Sequence, residues 1–280
     1  MAVKMLVSRI LKMLLIAFLV GSTSVFANET VSKTELDSLA KDLTNPVADL
    51  ITAPFEYNYF GKVGPSHQGT SQTLTFQPVI PQKITSDYNL IWRPNFTFTH
   101  LNNVNGVTNA DVAPFSIQTF FAPSNSTDLI WGIGPYAAIP TGSSGYFGSH
   151  QYGGGVSAVL LKQTEDLTVG LLGVQSWSLG GNPNFGTTNN ISGRPFVAYV
   201  TKNDWIYDAD LTSLYNYDLH RTSNLATAGI SKLVLIDELP VSFGGGAGYY
   251  LGSVPGGPQG WMFKATMTFV FPGGSLWSRL

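Results

Sequence analysis

The chain has 280 residues, and only 11% of them are charged, compared with about a quarter in ordinary soluble domains. Apolar residues make up 44%, yet they form no run long enough for a helical membrane protein. The absence of cysteine excludes disulfides and thiolate metal sites. A formal net charge of −2 without a basic stripe argues against nucleic acid as a partner.

The first 27 residues have the pattern of a cleaved signal peptide. Three basic residues come first, the apolar run MLLIAFLV follows, and Val25 and Ala27 supply small residues before a cut after Ala27. The alternative is a membrane anchor, but a spanning helix needs about 20 apolar residues and this run is far shorter. We therefore predict an exported protein with residues 1–27 removed.

Residues 28–53 form the next predicted segment. Leu36, Leu39 and Leu43 lie on one helical face, and Thr34 is a suitable N-cap, so the pattern predicts a short amphipathic helix. The apolar stripe needs a partner. The segment either stays in the periplasm as a docking helix or plugs the interior of the following domain, and we expect at least partial insertion.

From residue 54 onward the pattern changes to period two. Most of the alternating runs are about 10 to 13 residues long, which exceeds the usual soluble strand and matches a tilted strand that spans a bilayer. Twelve runs cover residues 54–61, 70–81, 88–100, 110–122, 128–140, 153–162, 167–178, 191–201, 204–216, 223–236, 240–252 and 259–271.

The connections between these runs alternate in length. Short ones such as KQTED, TKND and DELP follow every second run, while the others are longer and rich in Gly, Asn, Ser and Thr, as in LNNVNGVTN and TGSSGYFGSHQY. Outer-membrane barrels have short periplasmic turns and long external loops. The alternation therefore favours such a barrel over a periplasmic or secreted β-sandwich, which is the alternative.

The last run shows the two faces clearly. In GWMFKATMTFVF the odd positions, such as Trp261 and Phe263, are all apolar, while the even positions include Lys264, Thr266 and Thr268. We expect the odd face to contact lipid and the even face to line the interior. An unpaired peptide group in hydrocarbon costs several kcal/mol, so the sheet must close on itself. The predicted fold is an all-β transmembrane antiparallel β-barrel of about twelve strands over residues 54–271.

Two features oppose this interpretation. The runs 153–162, 167–178, 191–201 and 223–236 alternate poorly. In addition, five prolines fall inside predicted strands, where each removes a ladder hydrogen bond. We expect bulges or lumen-facing breaks at Pro78, Pro94, Pro114, Pro135 and Pro195.

Six segments occur in order over roughly Leu43 to Phe271: NPVADLITAPF, TFQPVIP, LIWGIGP, YGGGVSAVLLK, GRPFVAYV and LPVSFGGGAGYYL. In them the chain resembles bacterial outer-membrane proteins of the phenol-degradation meta-pathway family, many of which carry the names neuromedin U or transporter. The resemblance implies a Gram-negative outer-membrane barrel with a transport role for small organic molecules, and it supplies no catalytic residues.

The chain departs from this resemblance at two places. Residues 272–280 extend past Phe271, whereas many outer-membrane chains end on an aromatic residue, so the signal for the outer-membrane assembly machinery would be internal. The stretch Asn105 to Val112 is also looser than the family pattern, which puts the adjoining loop in doubt.

Five charged residues are predicted to project into the interior: Arg93, Arg194, Asp208, Asp210 and Lys264. One interpretation is a selectivity constriction, in which opposed charges set a field across a pore. The other is a salt-bridged network that fills a narrow lumen. Asp208 and Asp210 are two positions apart on one face, so they repel each other unless a cation lies near.

Other candidate chemistry is weaker. His67, His100, His150 and His220 lie in or beside predicted external loops, and we expect no shared metal site and no cofactor. The segments SHQGTS and GSHQY contain Ser and His without a recognisable Ser-His-Asn frame, so an enzyme is not expected. The glycine triplets 153–155 and 244–246 lead into no helix, which favours close strand packing or access of the N-terminal segment over phosphate binding.

The sequence thus predicts a channel or transporter in the cell outer membrane for passive passage of small organic molecules, hydrophobic ones among them. Its expected partners are outer-membrane lipids, the permeant and the assembly machinery. The alternative is a structural or adhesive surface barrel with a closed lumen, and a lipid hydrolase is a further, weaker one.

Overall fold

The computed structural model describes residues 32–126, 129–142, 147, 150–182, 184, 187–237 and 239–272. The predicted signal peptide and nearly all of the predicted C-terminal extension lie outside the described residues. One helix, α1 (Lys33–Asp42), precedes the strands. No helix in the described part of the chain is both long and apolar enough to cross a membrane.

Fourteen strand segments follow the helix in the described residues. They are β1 (Ile51–Val63), β2 (Gly69–Phe76), β3 (Ile80–Lys83), β4 (Tyr88–Val104), β5 (Val107–Val112), β6 (Phe115–Pro123), β7 (Ile130–Ile139), β8 (Gln151–Gln163), β9 (Leu167–Gly181), β10 (Asn189–Val200), β11 (Trp205–Asn216), β12 (Arg221–Ile236), β13 (Leu239–Gly252) and β14 (Gly260–Phe271).

The strands form one closed antiparallel barrel. Each strand pairs with its neighbours in chain order, and β1 pairs with β14 from Ile51 opposite Phe271 to Phe60 opposite Met262. The segments β2 and β3 both pair with β4 and occupy one position in the ring, as do β5 and β6. The ring therefore has twelve positions, and the predicted fold class is confirmed.

The prolines interrupt the ladder, but not always as expected. Pro78 and Pro114 lie in the gaps between β2 and β3 and between β5 and β6. Pro94, Pro135 and Pro195 stay inside continuous strands. Each of these three prolines is paired with a residue of one adjacent strand. On the other side, the adjacent strand has no residue paired with the proline. Their rings lie on the outward register, so the expectation of lumen-facing breaks is wrong for these three.

The predicted long connection LNNVNGVTN is instead a tight hairpin. Strand β4 continues to Val104 and β5 begins at Val107, with Asn105 and Gly106 between them at φ of 54° and 76°. Asn-Gly is the dipeptide that favours a two-residue hairpin turn with both central φ angles positive. The polar composition of this stretch therefore belongs to two strands that extend beyond the barrel wall.

We call the end of the barrel that carries residues 84–87, 164–166 and 201–204 the turn end, and the opposite end the loop end. The connections 140–150, 182–188 and 253–259 lie at the loop end and are the longest. Ile51 and Phe271 both lie at the turn end. This sidedness is the one that the alternating connection lengths predict, with two exceptions at the loop end: the hairpin at residues 105–106, and the connection 217–220, which is no longer than the turn-end connection 84–87.

The two faces of the sheet differ in exposure as the alternation predicts. On β14, Trp261 is 60% exposed and Phe263 is 55% exposed, while Met262 is 4% exposed and Val270 is fully buried. Other strands show exposed apolar side chains on the same outward register, among them Ile133, Val156, Leu160, Val169, Leu171, Val197, Tyr207, Ile230, Phe243 and Tyr249. An apolar surface that surrounds the whole sheet fits a lipid environment rather than water.

The segment before β1 packs against the inward face at the turn end. Val47 belongs to a buried cluster with the inward-facing residues Ile91, Phe120 and Leu161. Gly132 makes room for it, since a Cβ there would lie 3.2 Å from Val47 Cγ1. The inward faces of β8 and β9 therefore carry apolar side chains that pack against the segment before β1. Both faces of these strands are then apolar in places, which explains why their sequences alternate poorly.

Polar contacts fix the same segment. The Gln163 side-chain amide donates to the Lys41 carbonyl (2.9 Å) and to Thr44 Oγ1 (3.0 Å). The hydroxyls of Thr44 and Thr168 are 2.6 Å apart. Thr168 lies on the inward register of β9 and is 1% exposed. These contacts hold the end of α1 against the wall between β8 and β9.

Candidate functional site

Charged side chains from several strands lie on the inward face of the barrel. We use the name charged belt for Glu56, Arg93, Arg194, Asp208, Asp210 and Lys264. All five inward candidates from the sequence belong to it. Glu56 was missed, although it alternates with Phe55 and Tyr57 in the first run, which is the signal that identifies an inward position.

One ion pair crosses two intervening strands. Lys264 Nζ on β14 donates to Asp208 Oδ2 on β11 at 2.9 Å. Four residues are aligned by register between these strands, in the order Asp208, Gly229, Gly246 and Lys264. Because the two central positions are glycines, the lysine side chain can lie flat against the wall and reach the carboxylate.

The geometry around these glycines leaves no space for a side chain. A Cβ at Gly229 would lie 2.6 Å from Asp208 Oδ1, and a Cβ at Gly246 would lie 2.7 Å from Lys264 Cε and 2.4 Å from the Ala228 carbonyl oxygen. One glycine of the triplet 244–246 therefore has a clear role in close packing beneath the ion pair. This agrees with the packing interpretation of that triplet.

The second ion pair joins adjacent strands. Arg194 Nη2 on β10 donates to Asp210 Oδ2 on β11 at 3.0 Å. Thr212 Oγ1 and Thr227 Oγ1 donate to the two oxygens of the same carboxylate. The Asp210 side chain is 5% exposed, whereas that of Arg194 is 48% exposed. The carboxylate is thus enclosed by donors, while the guanidinium projects into the open part of the interior.

Arg93 lies nearly opposite Arg194 in the ring of strands. Its Nη2 donates to Gln77 Oε1 at 3.2 Å, while its buried Nε and Nη1 have no hydrogen-bond partner within the described ranges. Its charge is repelled by that of Arg194, and Arg194 is in turn attracted by Glu56. The charges on facing walls therefore influence one another across the interior.

The belt combines features of both interpretations made from the sequence. Asp208 and Asp210 lie close together, and each has its own cation, which removes the repulsion expected between two adjacent carboxylates. Among the described residues, Arg93 has no such carboxylate. The belt is a salt-bridged network on one wall and an unneutralised guanidinium on the other.

A separate cavity lies at the loop end. It has a volume of ≈ 480 Å³ and is lined by Pro65, His67, Arg221, Ser253, Val254, Pro255, Gly256 and Gln259. We call it the mouth cavity. Nothing in the sequence predicted it, because its lining comes from a β1–β2 connection, a β13–β14 connection and the first residue of β12.

The four histidines are spread over different elements. His100 lies within β4, and His67, His150 and His220 lie in connections at the loop end, where each has positive φ. Within the described ranges, no group of three or more His, Asp or Glu residues is placed to hold a metal ion.

A closed antiparallel sheet with an apolar outer surface and a charged interior defines a transmembrane β-barrel. Its fold is similar to that of an outer-membrane channel from Pseudomonas putida F1, with a TM-score of 0.63 and 13% sequence identity over 80% of this chain and 96% of that one. It is also similar to the NanC porin, with a TM-score of 0.50 and 12% identity over 80% of this chain and the whole of the porin.

At these identities the likeness concerns the fold. No family model matches the chain, and no curated protein matches it significantly. The resemblance to the phenol-degradation meta-pathway proteins therefore stays a prediction.

Proposed function

We propose that this protein is a channel of the bacterial outer membrane for passive passage of small organic molecules. The observation that carries the proposal is the closed barrel whose outer surface is apolar and whose interior carries the charged belt. An interior filled only for structural reasons would not need the half-exposed Arg194 guanidinium in the lumen. The similar folds of an outer-membrane channel and a porin support the same function.

In this proposal the loop end faces the outside of the cell and the turn end faces the periplasm, as in other outer-membrane barrels. The outward apolar residues contact lipid, and the assembly machinery inserts the chain. The charged belt acts as the constriction that sets which solutes pass. The phenol-degradation resemblance suggests aromatic compounds as the permeant.

The segment before β1 is proposed to act as a plug. Its contacts with Ile91, Phe120 and Leu161 and with Gln163 and Thr168 fill the turn end of the interior. Passage then requires this segment to move aside. A segment held by a few hydrogen bonds and a small set of buried apolar side chains, among them Leu36, Leu39 and Val47, can open locally at lower cost than the barrel can unfold.

The alternative is a structural or adhesive surface barrel with a closed lumen. The tight burial at the turn end favours it, since Ile91 and Phe120 are both fully buried there. We propose no enzymatic activity.

Conductance of the refolded protein in a planar bilayer separates the two functions. The channel predicts discrete current steps, and a variant lacking residues 28–48 should show larger or more frequent steps. Silence from both proteins would exclude passage and leave the closed scaffold.

A further inference from the structure

The mouth cavity has the size and lining of a small-molecule site. Its volume of ≈ 480 Å³ falls within the roughly 300–1,000 Å³ usual for such sites. Pro65, Val254 and Pro255 form an apolar part of the lining, and His67, Arg221, Ser253 and Gln259 form a polar part. An apolar wall with a few convergent polar groups is the arrangement that binds small organic ligands.

The cavity is built from connections that are fastened to each other. Gly64 N donates to the Gly256 carbonyl at 3.0 Å and joins the two connections that line most of it. Val254 N donates to Ser223 Oγ at 3.0 Å and ties the second connection to β12. The lining residues therefore keep their relative positions, which lowers the entropy lost on ligand binding.

Arg221 is the charged group of the lining that a ligand can reach. Its side chain is exposed, and in the part of the chain that the structure describes it forms no ion pair with an acidic residue. Its guanidinium donors are therefore available to the carboxylate of a ligand.

Register places Arg221 on the inside of the barrel. It lies opposite Asn216 on β11, and it shares the inward register of β12 with Thr227 and Gly229. The cavity is thus the entrance of the interior, where solutes from outside arrive. Lipid contacts the other face of the sheet, which argues against a lipid headgroup as the natural occupant.

We propose that the mouth cavity binds small organic anions, with a carboxylate or a similar group on Arg221 and the apolar body against Pro65, Val254 and Pro255. This goes beyond permeation, because a binding site at the entrance is measurable whether or not the barrel conducts. In a conducting barrel the site raises the local concentration of such solutes above the charged belt. Charge-assisted bonds to arginine supply the preference for anions.

Calorimetric titration of the detergent-solubilised full barrel tests the proposal, with benzoate, its neutral isostere benzamide and inorganic phosphate as probes. Benzoate should bind more tightly than benzamide, because only benzoate carries the charge. It should also bind more tightly than phosphate, because only benzoate has an apolar body. Benzamide or phosphate binding as tightly as benzoate would overturn the proposal.

Variants assign the binding to this cavity. Arg221→Gln should weaken benzoate binding about tenfold, the loss of one charge-assisted contact. Lys232→Gln is the matched control, since Lys232 lies over the Trp205 ring at 5.0 Å, far along β12 from the cavity. Equal benzoate affinity of Arg221→Gln and the unchanged protein would refute the site.

Arg221→Lys provides a second test. It keeps the positive charge but loses the planar pair of donors, so it should bind benzoate more weakly than the unchanged protein and more tightly than Arg221→Gln. Benzoate affinity that does not depend on the residue at position 221 would contradict the proposal. This variant also serves if Arg221→Gln fails to fold.

Discussion

Lys264 reaches Asp208 across two strands, with Nζ 2.9 Å from Oδ2, because the residues at the crossing points, Gly246 and Gly229, have no side chains. The lysine side chain is 11% exposed and the carboxylate is 34% exposed. The pair thus lies along the wall rather than across the lumen.

Gly246→Ala should destabilise the barrel by about 1–3 kcal/mol, as overpacking of a tight site does. The new methyl would lie 2.4 Å from the Ala228 carbonyl oxygen, which belongs to the backbone and cannot turn away. Gly245→Ala is the matched control, because the nearest atom to its Cβ is 3.5 Å away. Urea unfolding in lipid vesicles measures both variants, and equal midpoints would contradict the packing account.

Asp210→Asn should shift ion selectivity toward anions. The substitution removes the negative charge that neutralises Arg194, whose side chain is 48% exposed in the interior. The cost in stability should be about 1–3 kcal/mol, because an amide nitrogen replaces one of the two oxygens that accept from Arg194, Thr212 and Thr227. The reversal potential in a salt gradient measures selectivity. Lys232→Gln, on the outward face, should leave the reversal potential unchanged. An unshifted reversal potential in Asp210→Asn would show that the charged belt does not set the ion selectivity.

A disulfide between positions 44 and 168 should lock the plug in place. The two threonine hydroxyls are 2.6 Å apart, so cysteines there can bond with little movement, and the native chain has no cysteine to interfere. The oxidised Thr44→Cys, Thr168→Cys double variant should conduct less than the reduced one, and a reductant should restore the current. The Thr44→Cys single variant should not respond to oxidation. Equal currents in both redox states would mean that the segment does not control passage.

The docking of α1 should weaken as the pH rises. Burial raises the pKa of the Asp42 carboxyl above its usual value, and nearby Asp49 raises it further, while Lys41 opposes this. The neutral acid is therefore favoured in the docked state. Its stabilising effect is complete below the unfolded pKa, about 3.9, and is lost as the pH rises through the folded pKa.

Asp42→Asn keeps the side chain neutral and should remove this dependence. Protection of the Leu43 amide, which donates to the Leu39 carbonyl at 3.0 Å, should increase at pH 7 and match the unchanged protein near pH 4. Amide hydrogen exchange measures both conditions. Asp166→Asn, in an exposed turn, should leave protection at the native level. No gain from Asp42→Asn at pH 7 would contradict the cost of burying this carboxylate.

The sequence was sufficient for the barrel itself. Period-two alternation depends only on local chemistry, because one face meets lipid and the other does not, so Trp261 and Phe263 could be assigned to the outside without knowledge of any partner strand. The inward candidates Lys264 and Asp208 follow from the same periodicity. Proline chemistry likewise marked where the ladder is interrupted, at Pro78 and Pro114.

The remaining features depend on contacts between distant positions. Val159 and Leu161 lie on the inward face of β8 and are apolar because they pack against Val47. Val47 lies more than a hundred residues earlier in the chain, so the sequence of β8 alone does not show the expected alternation. The pairing of Lys264 with Asp208 required the register of four strands. The hairpin at Asn105-Gly106 is different, because the Asn-Gly dipeptide itself indicates a tight turn. The polar residues around it led instead to the prediction of a long loop.

The contact of Ile51 with Phe271 sets the order in which the molecule can be completed. Strand β1 can complete its hydrogen bonding only when β14 is present. Until then the sheet is open, with unpaired backbone groups along both edge strands. Bringing such distant segments together carries a large entropic cost before any bond at the seam repays it. A chain cut before Gly260 would keep both edges exposed, which makes it prone to pair with other copies instead of with itself.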